Sequence, residues 1–264
     1  MPSANDIVIR DIDKPTAPHA RKSAAPRRMR HHATRRHRQV ALNLVGLALH
    51  EPVQHQFAAF AHVRVPLHGQ PRLRDELRLA ELICDKLHPD MIFHHDDWGS
   101  EQNSFMRPSM FEDFFLEPYK QVYGYYKDHG CELVVHHSDS YGANLVPSMI
   151  EMGIDVWQGC MQSNHVPELV KKYKGKITFM GDIDNKSMDF PGWTPEDCRK
   201  AAVRAMEENG MVGFIPCITQ GGPGCLYEGG YRDLWDAIDK YNIEHYGCTQ
   251  EELDNSRYPF FEMF

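Results

Sequence analysis

The chain has 264 residues, 42% of them apolar and 25% charged, which is enough for one large domain with a sizeable buried core. It has no apolar run of the ~18 residues that a membrane-spanning helix needs. No apolar stretch with a small-residue cleavage site stands near its start, so a cytoplasmic protein is expected. The seven cysteines (Cys84, Cys131, Cys160, Cys198, Cys217, Cys225 and Cys248) are odd in number and form no CxxC pair, which argues against a disulfide scaffold or a zinc finger.

The net charge of -8 conceals an asymmetry. Residues 1–75 hold 13 Lys and Arg against 5 Asp and Glu, whereas the remainder holds 16 against 32. The first segment, 1–75, is basic and irregular: it carries Pro15, Pro18 and Pro26, the run Arg35-Arg36-His37-Arg38, and two short uncapped candidate elements, Val40–Leu49 and Phe57–Val65. It reads as a basic tail or as a divergent start of the domain. No aromatic-interleaved or zinc module accompanies the basic clusters, so nucleic acid is not an expected partner.

Residues 76–264 alternate strands and helices. Arg78–Leu87 is the end of a helix, Pro89-Asp90 breaks it, and Met91–Phe93 is a strand that empties into His94-His95-Asp96-Asp97-Trp98-Gly99. Ser109 and Glu112 have the spacing of a capping box. The helix they open places Phe111, Phe114, Phe115, Tyr119, Val122 and Tyr126 on one face for burial, and Gly130 ends it. Cys131–His136 is the next strand, Asn144–Met152 a helix stopped by Gly153, and Ile154–Trp157 a strand. Val166–Tyr173 is a helix closed by Gly175, and Ile177–Met180 a strand leading into Gly181-Asp182-Ile183-Asp184. Thr194 caps a helix with Pro195 at its first position and Asp197 three residues after the cap. Gly210 ends that helix, Met211–Pro216 is a strand, and the last helix runs from about Tyr231 to Tyr246.

Five such units without a GxGxxG or GxxxxGKS/T loop, and with polar clusters after several strands, predict an α/β fold, a TIM (β/α)8 barrel that is incomplete or divergent at its N-terminus. In a barrel, strand ends build the site. Asp96 and Asp97 suit a metal, a proton or a cationic substrate; the plainer use is to cap the following turn. His137 and Asp139 are two residues apart and leave the strand on one face, as a zinc-binding nitrogen and oxygen would. Asp182 begins a second acid pair with Asp184. Cys217 precedes the glycine-rich loop Gly221–Gly230, either as a small buried hydrophobe or as a thiolate ligand.

These residues resemble the uroporphyrinogen-decarboxylase superfamily. The resemblance is carried by Asp-Asp-x-Gly at Asp96–Gly99, Pro-x-x-Phe-x-x-Phe at Pro108–Phe114, the strand ending in His137, Gly-Ile-Asp-Val at Gly153–Val156 and Gly-x-Ile-Asp at Gly181–Asp184. It implies a (β/α)8 barrel longer than this chain, with the unmatched part at the N-terminus. In the zinc methyltransferases of that family the motif is His-x-Cys with a later cysteine. His137 matches the histidine, Cys217 resembles the later cysteine, and Asp139 stands where the first cysteine is usual, so that His95, Asp96 or Asp97 is called on to complete the set.

The resemblance therefore implies a metal-dependent methyltransferase. It would move a methyl group between a small methylated substrate and a corrinoid carried by a partner protein, as O- and N-demethylase systems do. Zinc would be held by His137, Asp139 and Cys217, with Asp96 or Asp97 handling a proton. Two alternatives stand beside it. One is a uroporphyrinogen decarboxylase-like enzyme of porphyrin biosynthesis, in which Asp96 or Asp182 stabilises a protonated pyrrole without metal. The other is a truncated, non-catalytic barrel fragment.

Overall fold

The computed structural model describes residues 70–221 and 225–256. The readings made for residues 1–69, and the tip of the glycine-rich loop at 222–224, lie outside the described residues. Helix α1 (Gln70–Leu87) precedes strand β1 (Met91–His95). Next come α2 (Pro108–Phe111), a π-helical turn (Glu112–Leu116), α3 (Glu117–Asp128) and β2 (Leu133–His137). A 3-10 turn (Ala143–Leu145) leads into α4 (Val146–Glu151) and β3 (Val156–Cys160). A second 3-10 turn (Gln162–Asn164), α5 (Val166–Tyr173) and β4 (Thr178–Ile183) follow, then a third turn (Asn185–Ser187), α6 (Pro195–Asn209) and β5 (Phe214–Ile218). The described chain closes with α7 (Gly230–Tyr246) and α8 (Gln250–Asn255).

All four neighbouring strand pairs are parallel, and the spatial order is β1-β2-β3-β4-β5. The order never reverses, so there is no switch point of the kind that defines a doubly wound sheet. Right-handed crossovers that always advance in one direction put every helix on the same face. The described residues therefore form an arc of a (β/α)8-like barrel, incomplete or divergent at its N-terminal side, as the alternation predicts. No described helix is long and apolar enough to cross a membrane.

The helix-side face of the sheet holds the core. Trp157 and Phe179 are fully buried and meet edge to face at 6.0 Å. Burying side chains of this size contributes roughly 1.5–3 kcal/mol each. Asp155, in the Gly-Ile-Asp-Val segment, accepts a hydrogen bond from the Val134 N–H (2.7 Å) and pairs with the Lys127 ammonium, tying α3, β2 and β3 together.

Local signals account for most boundaries. Thr194 and Asp197 form a reciprocal capping box with Pro195 behind the cap, as the sequence predicts. Gly130, Gly153, Gly175 and Gly210 all have positive φ at helix ends. Strands β2 and β3 begin about two residues later than hydrophobicity suggests. The N–H groups of Cys131 and Ile154 are still bonded back to the carbonyls of Tyr126 and Met149 in the preceding helices (3.0 and 3.1 Å), so those apolar residues close the helix before the strand starts.

Two helix expectations are corrected. Ser109 is not a cap: Pro108 occupies the first helical position, Arg107 is the cap residue, and the Ser109 hydroxyl accepts from Arg107 Nε (3.0 Å). Phe114 is exposed (47%) instead of buried, because the π-helical turn is wider than an α-turn and aligns Phe111 with Phe115, leaving Phe114 off the stripe. Tyr123, absent from the predicted stripe, is fully buried.

Candidate metal centre at the ends of β1 and β2

Strands β1 and β2 each end in a His-His dipeptide, and their register sets His94 opposite His136 and His95 opposite His137. Side chains alternate across a sheet, so each dipeptide sends one imidazole to either face. His94 and His136 go to the helix side and stack at 5.7 Å, beside Tyr119 and Tyr123 of α3. His95 and His137 go to the other face, where their rings meet edge to face at 4.3 Å.

Asp97 completes a group. One ligand atom from each of His95, Asp97 and His137 lies within 4.8 Å of the others, and this is the one such group of three or more metal-ligating side chains found among the described residues. Asp97 is held at both oxygens: Oδ2 lies 3.4 Å from His95 Nε2, and Oδ1 accepts the Asp139 N–H at 3.2 Å. Burial, the largest single influence, pushes the Asp97 carboxyl upward, but the His95 hydrogen bond, the charges of His137 and His95 and the Asp139 N–H together outweigh it, and the carboxyl sits below the usual range. The same bond, with Asp97 and Asp139 near, raises His95. Burial lowers His137, which favours its neutral, ligating form.

Gln158 of β3 fixes the orientation of His137. Its Oε1 accepts from His137 Nδ1–H, which leaves the Nε2 lone pair free for a ligand. Gln158 Nε2 lies 4.0 Å from Cys217 Sγ, completing a line His137–Gln158–Cys217 across β2, β3 and β5. Gly159 makes room for it: it has φ of 87°, and a Cβ there would sit 3.0 Å from the His137 ring.

Of the residues singled out in the sequence, His137 enters the group together with Asp97 and His95, two of the three named to complete the set. Asp139 contributes its backbone N–H to Asp97, but its carboxylate does not join the cluster. Cys217 stands behind Gln158, with its buried thiol pushed up to about 12, and it also stays outside the cluster. Asp96 is turned toward α3, where its carboxyl accepts from the Tyr119 hydroxyl and is raised by burial.

Asp182 points away from this site. Its φ is +62°, and its carboxylate pairs with Arg204 NH1 (2.9 Å) and accepts from Asn209 Nδ2 (2.6 Å), both on α6. Burial raises it, with Arg204 opposing. Asp184 accepts the Gln162 N–H at 3.0 Å and lies 3.7 Å from Lys186 Nζ, which also pairs with Glu101. The side chain of Asn185 donates to the carbonyls of Gln220, just before the glycine-rich loop, and of Cys225 within it (2.9 and 3.0 Å). Gln158 is the residue of this cluster that sequence reasoning passed over; its one signal is an amide inside the otherwise apolar run Val156–Cys160.

No protein-family model matches the chain, and no curated protein matches it. Among solved structures it is similar to a methyltransferase from Methanosarcina mazei, at 16% identity and a TM-score of 0.48 over 64% of this chain. The match spans 47% of that methyltransferase, just under half its length. It is also similar to a sugar phosphate isomerase/epimerase from Parabacteroides distasonis ATCC 8503, at 9% identity and a TM-score of 0.39 over 69% of this chain and 68% of the other. Neither likeness assigns an activity.

Proposed function

We propose that His95, Asp97 and His137 hold a divalent metal ion, zinc foremost, and that the chain is a metal-dependent methyltransferase. It would act between a small methylated substrate and a corrinoid carried by a partner protein. The observation that carries the metal is the convergence of two imidazoles and one carboxylate within 4.8 Å at two adjacent strand ends. Two nitrogens and an oxygen are a donor set that zinc accepts, and three protein ligands leave a fourth position for substrate. Relative to the His137, Asp139 and Cys217 set expected from the family pattern, the proposed set has no sulfur and is harder still, with Cys217 lying behind Gln158 at 4.0 Å. The methyl-transfer reading is supported by the motifs at Asp96–Gly99, Pro108–Phe114, Gly153–Val156 and Gly181–Asp184.

When bound, such an ion supplies Lewis acidity, stabilising negative charge on the oxygen, nitrogen or sulfur that loses or accepts the methyl group. The protein's part is orientation and charge. Gln158 holds His137 in one tautomer, and Asp97, ionised and fixed at both oxygens, offsets the cation. Asp139, half-buried beside the group, is the acid placed to exchange a proton with substrate.

The test is the metal content of the purified protein beside His95→Ala, Asp97→Ala and His137→Ala, followed by methyl transfer to free reduced cobalamin read from its visible spectrum. About one zinc per chain, lost in all three variants together with transfer, is the expected result. A folded wild type that takes up no zinc would overturn the reading and favour metal-free, decarboxylase-like chemistry.

A further inference from the structure

The mechanism above does not use the other half of the paired histidines. His136 is fully buried, and both of its nitrogens are engaged. Nε2 lies 3.1 Å from the Asp96 carbonyl oxygen, which can only accept, so Nε2 carries the proton and donates. Nδ1 is then the acceptor, and it takes the Tyr123 hydroxyl at 2.8 Å. Trp98 lies flat against the ring, with centroids 4.1 Å apart and planes 19° from parallel. The imidazole is thus locked in one tautomer and one orientation, and burial keeps it neutral.

What it grips is the residue next to a proposed ligand. Asp96 is held at three points. Its N–H donates to the His137 carbonyl (3.2 Å), its carbonyl accepts from His136, and its carboxyl accepts from the Tyr119 hydroxyl, to which Trp98 Nε1 also donates at 3.4 Å. Every polar group of Asp96 is therefore pinned to β2 or α3. Asp97 follows directly, where the strand has ended and no ladder fixes the chain.

We infer that His136 is a positioning residue: by holding the Asp96 carbonyl it fixes the backbone from which Asp97 reaches His95 and His137. The inference rests on the metal-site reading above. It gives the two His-His dipeptides a division of labour, in which the inward pair, His95 and His137, ligates and the outward His136 sets the loop. Partners one shell out from a metal typically change affinity 10–100-fold when removed.

The experiment replaces His136 with Gln and with Asn in the full chain. Glutamine places an amide N–H near the position of Nε2 and keeps the donor to Asp96. Asparagine places its polar group near Nδ1, keeps a partner for Tyr123 and loses that donor. A merely structural role needs polar filling and treats the two alike. Zinc affinity by chelator competition and hydrogen exchange at the Asp96 and Asp97 amides are the readouts. The expected result is zinc binding ~10–100-fold weaker and faster exchange in His136→Asn, with both close to wild type in His136→Gln. Equal behaviour of the two variants overturns the positioning role while leaving the metal site standing. If wild type binds no zinc, the metal reading falls by itself, and the exchange comparison still decides whether His136 fixes the loop.

Discussion

The joint end of β1 and β2 and the end of β4 are built from similar material and used in opposite ways. Both place two acids just past or within a strand end: Asp96 and Asp97 at one, Asp182 and Asp184 at the other. At the first, alternation across two paired strands carries His95 and His137 to the face away from the helices, and Asp97 turns to meet them. At the second, the ladder is irregular: the β3–β4 register shifts between Gln158 and Cys160, and Asp182 takes a left-handed conformation. Its carboxylate goes to Arg204 and Asn209, and that of Asp184 to the Gln162 amide. At the first end Asp97 alone joins a ligating group while Asp96 is tied to Tyr119, and at the second both acids are engaged in joining β4 to its neighbours.

This contrast can be broken from either side. The largest expected effect on stability is from Asp182→Ala, which strips a buried partner from Arg204 and Asn209 and leaves alanine in a left-handed conformation; about 3 kcal/mol should be lost in denaturant unfolding. Zinc affinity should stay within about twofold, since Asp182 faces α6. Asp97→Ala should do the reverse. By chelator competition zinc binding should fall by more than ~100-fold, beyond the range of an outer-shell partner, while the unfolding midpoint of the metal-free protein barely moves.

Gln158→Leu sharpens the comparison within the first region. It keeps the volume but frees His137 to change tautomer, and zinc affinity should drop ~10-fold. A wild-type affinity there would mean that the His137 orientation is set by packing against Gly159 alone. The smallest effect is from Thr194→Ala, which removes the capping box of α6 and should cost ~1 kcal/mol with no change in metal binding. A change in metal binding would mean that the two regions are coupled through α6.

The sequence makes α5 legible from its apolar spacing and the glycine behind it, and α6 legible from Thr194, Pro195 and Asp197, because these are local signals that tertiary contacts do not overrule. Ser109 misleads because proline and serine compete for the same turn and proline's fixed φ decides where the helix starts. Phe114 misleads because a π-helical turn leaves no period to read. His137 is legible from alternation alone. The role of His95 depends on the register with β2, and that of Asp182 on a bulge; both are pairings between distant segments that no local window contains. Gln158 shows only as an amide in an apolar strand, and nothing local says which neighbour it serves.

For a designer, the two aligned His-His dipeptides amount to a recipe. Two parallel strands that both end in His-His, paired without offset, deliver one imidazole couple to each side of the sheet at the interstrand spacing of about 4.8 Å. The proposed ligands His95 and His137 and the proposed brace His136 all come from these two dipeptides. Shifting one strand by a single position would put its histidines on the wrong sides and dismantle both at once. Grafting such a site onto another sheet therefore requires copying the alignment of the strands as well as the residues.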